Sequence, residues 1–290
     1  MVMRVLSIQS HVAYGYVGNR AATFPLQRLG HEVWAVNTVE FSNHTGYGAW
    51  KGRVAAPEQV RDVISGIAER GALSSCDAIL TGYMGDTALG EVVLEAVAMV
   101  RAANPQAVWC CDPVIGDIDR QVYVRPGIPE FFRDRIVAKS DILTPNHFEL
   151  EWLTGRKVST LKDTLSAARA LMGAGSHPQI MLVTSLRRSD APAGTIEMLA
   201  LTREAAWLVS TPELAFEIAP NGTGDAVAAL FLAQWHAHRD VGRALEDVAA
   251  SIFAVLEATL QSGERELRLV TAQDVLVAPP RRFSAMQLDA

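Results

Sequence analysis

Short β-branched runs alternate with helical periods along most of the chain, and this alternation restricts the fold more than any other feature. Strands are expected at Val5–Gln9, Glu32–Asn37, Ala78–Thr81, Val108–Asp112, Ile142–Thr144 and Ile180–Thr184. Helices are expected between them, near Arg20–Leu29, Pro57–Arg70, Gly90–Ala103, Pro129–Val137 and Leu161–Gly173. Strands joined through helices are crossover units, which build a mainly parallel sheet covered on both faces. Thr195–Leu201 and Ala205–Ser210 instead read as an antiparallel hairpin at a sheet edge, with Thr202-Arg203-Glu204 as its loop. Two further helices, Asp225–His236 and Val241–Thr259, then cover the sheet. No composition break, long linker or internal repeat divides residues 1–290, so one domain is expected.

Composition agrees with a large buried core: the chain is 49% apolar and only 20% charged, too little charge for a disordered polymer. A net charge of -6 and the lack of any Lys/Arg-rich block argue against a nucleic-acid surface. The three cysteines, Cys76, Cys110 and Cys111, form no paired framework and match no zinc spacing, so buried, reduced thiols are expected. Met1 to Ser10 carry only Arg4 and a short apolar run, which reads as a first strand rather than a signal peptide or membrane span. A soluble cytoplasmic protein without a membrane partner is the expectation.

The most informative local feature is Pro220-Asn221-Gly222-Thr223-Gly224-Asp225, which runs straight into an apolar helix. Gly222 and Gly224 permit a tight turn with unobstructed N–H groups, and the helix start adds unpaired donors and a positive dipole end. This is a ready anion site. Asp225 fits there in two ways: as a helix N-cap, or as a general base facing a hydroxyl that attacks a phosphorus held by the turn.

Other candidates fall near strand ends, where the crevice of an open α/β sheet lies: Ser10, Gly82-Tyr83, Asp112 and Thr144. Asp112 and Asp117 flank a Pro- and Gly-containing loop and suit either turn positions or oxygen ligation of a hard cation. Asn146 and Glu149 fit a capping box and equally a metal-phosphate role, and the two are compatible. His147 reads as a packed or surface histidine. No Gly-x-x-x-x-Gly-Lys-Ser/Thr motif occurs. Gly15-Tyr16-Val17-Gly18-Asn19 lacks the dinucleotide spacing, and Ser10 and His11 lack a nucleophile elbow.

Taken together, several segments resemble the pyridoxal kinases of the ribokinase-like superfamily nearly end to end. They are Ser7-Ile8-Gln9-Ser10-His11-Val12, Gly15 through Gln27, Phe41-Ser42-Asn43-His44-Thr45-Gly46-Tyr47 with Trp50-Lys51-Gly52, and Leu80-Thr81-Gly82-Tyr83. To these are added Cys111-Asp112-Pro113-Val114, Thr144-Pro145-Asn146 and Gly222-Thr223-Gly224-Asp225. The last motif and Asn146-x-x-Glu149 are shared across the superfamily, whereas the Ser10 and Thr45 segments point to pyridoxal. A departure stands at Asn221, where the resembled sequences commonly carry an aliphatic residue.

The resemblance implies a ribokinase-like α/β fold, a homodimer, and ATP-dependent phosphorylation of the 5′-hydroxymethyl group of pyridoxal and related vitamers. It implies Ser10 and Thr45 on the polar ring substituents, Val17 and Tyr83 on the ring faces, and Asp225 as base with Gly222, Thr223 and Gly224 around the phosphoryl group. Asp112, Asn146 and Glu149 would organise Mg²⁺ and ATP, with Mg²⁺ held by Asp112 and Glu149 partly through water. Thr184, Ser185 and Thr223 would line the triphosphate. Some bacterial relatives carry lysine at the place of Thr184; the neutral hydroxyl here leads to the expectation of K⁺ at Asp117, Thr144 and Thr184. Two other readings are a hydroxymethylpyrimidine kinase, which shares the Asp225 base, and a non-catalytic pyridoxal-phosphate carrier, which needs neither Asp225 nor Asn146-x-x-Glu149.

Overall fold

The computed structural model describes residues 2–173 and 177–288. In chain order its strands are β1 (Arg4–Val12), β2 (Glu32–Phe41), β3 (Gly52–Val54), β4 (Ala78–Thr81), β5 (Val108–Cys111) and β6 (Gly116–Asp117). They continue with β7 (Gln121–Val122), β8 (Ile142–Leu143), β9 (Ile180–Leu186), β10 (Thr195–Leu201), β11 (Ala206–Pro212) and β12 (Met286–Leu288). The helices are α1 (Asn19–Arg28), α2 (Pro57–Glu69), α3 (Thr87–Ala103), α4 (Ile128–Phe131), α5 (His147–Thr154), α6 (Leu161–Met172), α7 (Thr223–His238), α8 (Val241–Ser262) and α9 (Gln273–Val277).

Among the described residues one large sheet runs in the order β12-β11-β10-β9-β8-β5-β4-β1-β2-β3. Its middle, from β9 through β8, β5, β4 and β1 to β2, is parallel, and both flanks are antiparallel. Strand faces alternate as a doubly covered sheet requires. Leu6, Ile8, Ile79, Trp109, Cys111 and Leu143 pack on the α2–α6 side. Val5, Leu80, Cys110 and Ile142 pack on the side of α1, α7, α8 and α9. The three cysteines are buried and free, and burial pushes the Cys110 thiol well above its ordinary pKa.

Four expectations need correction. The first strand extends to Val12, so Ser10 lies inside β1 rather than past its end. The hairpin of β10 and β11 turns through residues 202–205, one residue longer than expected, and is not the edge, because β12 pairs outside it. β2 runs on to Phe41 and pairs with β3, an antiparallel partner whose three residues are too few to show a period. The single helix expected at Pro129–Val137 is a short α4 followed by a π turn, Phe132–Ile136, and a 3₁₀ turn, Val137–Lys139. The widened turn keeps Phe132, Ile136 and Val137 all buried.

Strand β1 pairs with β2 on one side and β4 on the other, and the chain builds outward from it in both directions. It marks the topological switch point, beyond whose carboxyl end open α/β sheets bind ligands.

Candidate active site

A continuous cleft of about 980 Å³ opens beyond the carboxyl ends of the parallel strands. Apart from Gly82, each candidate site residue singled out from the sequence lines it, from Ser10 in β1 to Asp225 in α7. The chain therefore brings together segments more than two hundred positions apart.

One wall is the start of α7. Gly222 has φ +85°, the left-handed region glycine tolerates, and a Cβ there would stand 1.8 Å from the Tyr16 carbonyl oxygen. Gly222 is the N-cap and offers no side chain, so Asp225 is not the cap; it sits in the first turn instead. The Thr223 hydroxyl donates back to the Pro220 carbonyl at 3.2 Å, closing the turn. Burial raises the Asp225 pKa to about 6, against hydrogen bonds donated by the backbone N–H of Gly18 and by its own. A carboxylate so poised is matched to proton abstraction near neutral pH.

The Asp112 carboxylate approaches the same turn: a Cβ on Gly224 would lie 3.8 Å from Asp112 Oδ2. Its other oxygen accepts from the Thr144 hydroxyl at 2.9 Å. Burial, and then the charge of Asp225, raise its pKa to about 8. Glu149 is also buried and held well above the carboxylate range by burial and by Asp112. The Asn146–Glu149 capping box forms as read from the sequence. Glu149 Oε1 further accepts from Ile115 N–H at 2.9 Å, and Asn146 Nδ2 donates to the Gly116 carbonyl at 2.8 Å. Both residues thus anchor the strip between β5 and β6. His147 is packed, with Nε2 2.9 Å from the Val158 carbonyl.

Thr184 and Ser185 lie where β9 bulges against β10, and Ser185 carries a φ of +50°. Bulges re-aim side chains next to sites, and no local sequence signal marks this one. Asp117 is paired with Arg120, whose Nε donates to Oδ2 at 2.7 Å. The Thr144 hydroxyl is turned to Asp112. Asp117, Thr144 and Thr184 line one cleft without hydrogen bonds to one another, and no group of three His, Cys, Asp or Glu side chains with metal-ligand spacing occurs among the described residues. The buried, uncompensated carboxylates of Asp112 and Glu149 nonetheless fit a divalent cation, whose charge offsets the cost of burying them.

The lining beside the α7 turn carries Ser10, Val17, Thr45 and Tyr83. Ser10 is buried, and Gly18 is confined there, since a Cβ on it would lie 2.3 Å from Ser10 Oγ. Tyr83 is fixed through its carbonyl, which accepts from the Thr38 hydroxyl at 2.7 Å. Thr45 opens a single 3₁₀ turn, Thr45–Tyr47. A residue missed in the sequence holds this wall in place: Glu266, just after α8. Its carboxylate accepts from Tyr16 N–H at 3.0 Å and the Tyr47 hydroxyl at 2.7 Å, and lies 3.0 Å from His44 Nε2. Despite burial, these partners hold its pKa below the usual value. Arg265 donates to the Gly46 carbonyl at 2.7 Å and lies 3.9 Å over the Tyr47 ring.

Residues 34–269 match the family model described as phosphomethylpyrimidine kinase. The chain is 60% identical to a pyridoxal kinase of Rubrobacter xylanophilus, over 97% of this chain and 96% of that one. It is 50% identical to a pyridoxal kinase of Granulibacter bethesdensis, over 98% and 99% of the two chains. The structure of Leishmania donovani pyridoxal kinase in complex with ADP and pyridoxamine superposes with a TM-score of 0.90 at 32% identity, covering 99% of both chains. No helix among the described residues is long and apolar enough to cross a membrane. With relatives this similar matched along almost their whole length, the chain belongs to the pyridoxal kinase family.

Proposed function

We propose that the protein transfers the γ-phosphoryl group of ATP to the 5′-hydroxymethyl group of pyridoxal, and of pyridoxamine and pyridoxine, in vitamin B6 salvage. One observation carries this reading: the Asp225 carboxylate stands in the first turn of a helix whose glycine start suits an anion, in the same cleft as Ser10 and Thr45. In this reading Ser10 and Thr45 bind the polar ring substituents while Val17 and Tyr83 pack on the ring faces. Asp225 takes the proton of the 5′-hydroxyl. The N–H groups of Gly222, Thr223 and Gly224 hold the charge that develops on the phosphoryl oxygens. Thr184 and Ser185 line the triphosphate.

Asp112, Asn146 and Glu149 organise the Mg²⁺ side. Asp112 would hold the cation with the oxygen it turns toward Gly224, and Glu149, already bonded to the backbone, would do so partly through water. A Mg²⁺ held by these residues would offset phosphate charge. K⁺ at Asp117, Thr144 and Thr184 requires Arg120 to release Asp117. A homodimer, which the resemblance implies, completes the proposal and is checked by sedimentation velocity.

A hydroxymethylpyrimidine kinase is the second reading, favoured by the description of the matching family model; both share the Asp225 base. An ATP-coupled assay over pyridoxal, pyridoxamine, pyridoxine and hydroxymethylpyrimidine separates them. The proposal expects turnover of pyridoxal ahead of the pyrimidine. Preference for the pyrimidine favours the second reading, and no turnover of any of them favours a carrier.

A further inference from the structure

The cleft gathers three carboxylates, Asp112 and Glu149 buried and Asp225 half-buried, and in the function proposed above it must also accept a triphosphate. Thr184 supplies no charge to offset this. Of the arginines lining the cleft, Arg187 is bonded to Glu213 at 2.7 Å, and Arg265 is committed to the Gly46 carbonyl and the Tyr47 ring. Arg120 is placed differently. It rides on the turn between β6 and β7, and its Nη1 donates to the side-chain carbonyl of Asn221 at 2.7 Å. Asn221 is the residue immediately before Gly222. The same Nη1 would lie 3.1 Å from a Cβ on Gly46, beside Thr45. The guanidinium therefore spans the gap between the ring-binding loop and the phosphate turn, where a phosphoryl group passing from one to the other must travel.

Three contacts aim it. Asp117 accepts from Nε and Nη2, the Asn221 carbonyl from Nη1, and the Tyr123 ring lies 4.8 Å beneath the guanidinium carbon. Arginine presents five donors in a fixed fork that matches phosphate oxygens, and it is more weakly hydrated than lysine. The side chain is also partly exposed, with 43% of its surface accessible. We infer that Arg120 is a catalytic residue of this chain that donates to the oxygens of the transferred phosphoryl group, with Asn221 aiming it across the turn. The inference also gives a purpose to the polar residue that stands where the resembled sequences carry an aliphatic one. It rests on the cleft being the phosphoryl-transfer site.

The test compares Arg120→Met, Arg120→Lys and Asn221→Leu with the unaltered protein. Calorimetry with Mg·ADP and with the β,γ-imido analogue of Mg·ATP isolates the γ-phosphate without turnover. For Arg120→Met the inference expects Mg·ADP affinity to be retained, analogue affinity to fall about 10-fold, and kcat to fall about 10²–10³-fold with pyridoxal KM nearly unchanged, the size of one lost oxyanion donor. Arg120→Lys recovers part of kcat, and Asn221→Leu shifts it in the same direction by less. Analogue affinity in Arg120→Met unchanged from that of the unaltered protein, or equal losses for both nucleotides alongside a raised pyridoxal KM, would overturn it by reducing Arg120 to a clasp on the hairpin. Failure of the unaltered protein to phosphorylate pyridoxal contradicts the proposed function instead, and leaves the nucleotide comparison to judge Arg120.

Discussion

Gly222 lies so close to the carbonyl oxygen of Tyr16 that a single added Cβ would stand 1.8 Å from it. The phosphate turn is thus wedged against the loop that carries Val17 and Gly18, and the two halves of the cleft are registered by backbone contact. Gly222→Ala adds this clash to an unfavourable left-handed conformation, at a cost of about 2–4 kcal/mol by the usual size of overpacking and αL strain. We expect a clear drop in Tm and a larger loss of kcat/KM, whereas Gly30→Ala, where a Cβ meets open space, costs only the conformational part. Thermal denaturation of both variants checks this.

Glu266 couples Tyr16, His44 and Tyr47, so it fixes the loops proposed to bind the ring. Glu266→Gln weakens these contacts, and each donor left unpaired costs about 1–3 kcal/mol. Pyridoxal KM should rise about 10-fold or more by that cost while KM for ATP holds. Thr45→Val and Ser10→Ala should show the same split. Equal changes in both KM values would mean that the loop assignment is wrong.

The charge of the cleft depends on pH. Burial raises Asp112 to about 8 and Asp225 to about 6. Groups raised in the folded state contribute their full stability below the unfolded pKa, about 4, and lose it as pH rises through the folded values. The metal-free protein therefore loses this contribution between about pH 4 and pH 8. Mg²⁺ should raise Tm more at about pH 8 than at about pH 5, because it binds the ionised carboxylates. Asp112→Asn should flatten that difference. A Mg²⁺ shift in Tm that is equal at both pH values counts against Asp112 as a cation ligand.

Asp117 holds Arg120 in this structure, and the same carboxylate is the proposed K⁺ ligand. Movement of Arg120 onto phosphate frees it. Activity at saturating Mg²⁺ should then rise with K⁺, measured against a bulky organic cation at constant ionic strength, and Asp117→Asn should weaken the dependence. Activity indifferent to K⁺ removes the ion from the site.

What the sequence discloses and what it withholds follow from the range of the interactions. Strand β4 appears at its expected bounds because its alternate residues are buried on opposite faces. The Asn146–Glu149 box and the Gly222 turn are legible because their chemistry lies within a few residues. The Arg120–Asn221 contact spans 101 positions and the His44–Glu266 contact 222, so no local pattern announces them. The bulge that gives Ser185 its left-handed φ depends on pairing with β10, which is likewise invisible to local periodicity. Asp225 shows the limit from the other side. Its place at the helix start was legible, yet only the fold shows that Gly222 is the cap, leaving the carboxylate to the cleft.

The central claim is that Asp225 is the base, and Asp225→Asn tests it most directly because it keeps the volume while removing the proton acceptor. Single-turnover kinetics with ATP and pyridoxal, alongside calorimetric binding of each, should show the chemical step slowed about 10²–10⁴-fold, the usual worth of a general base. Both ligands should still bind, with ATP held as tightly or more so once a repulsive charge is gone. A variant that keeps near-full kcat would contradict the account and leave Asp225 a residue of helix structure alone.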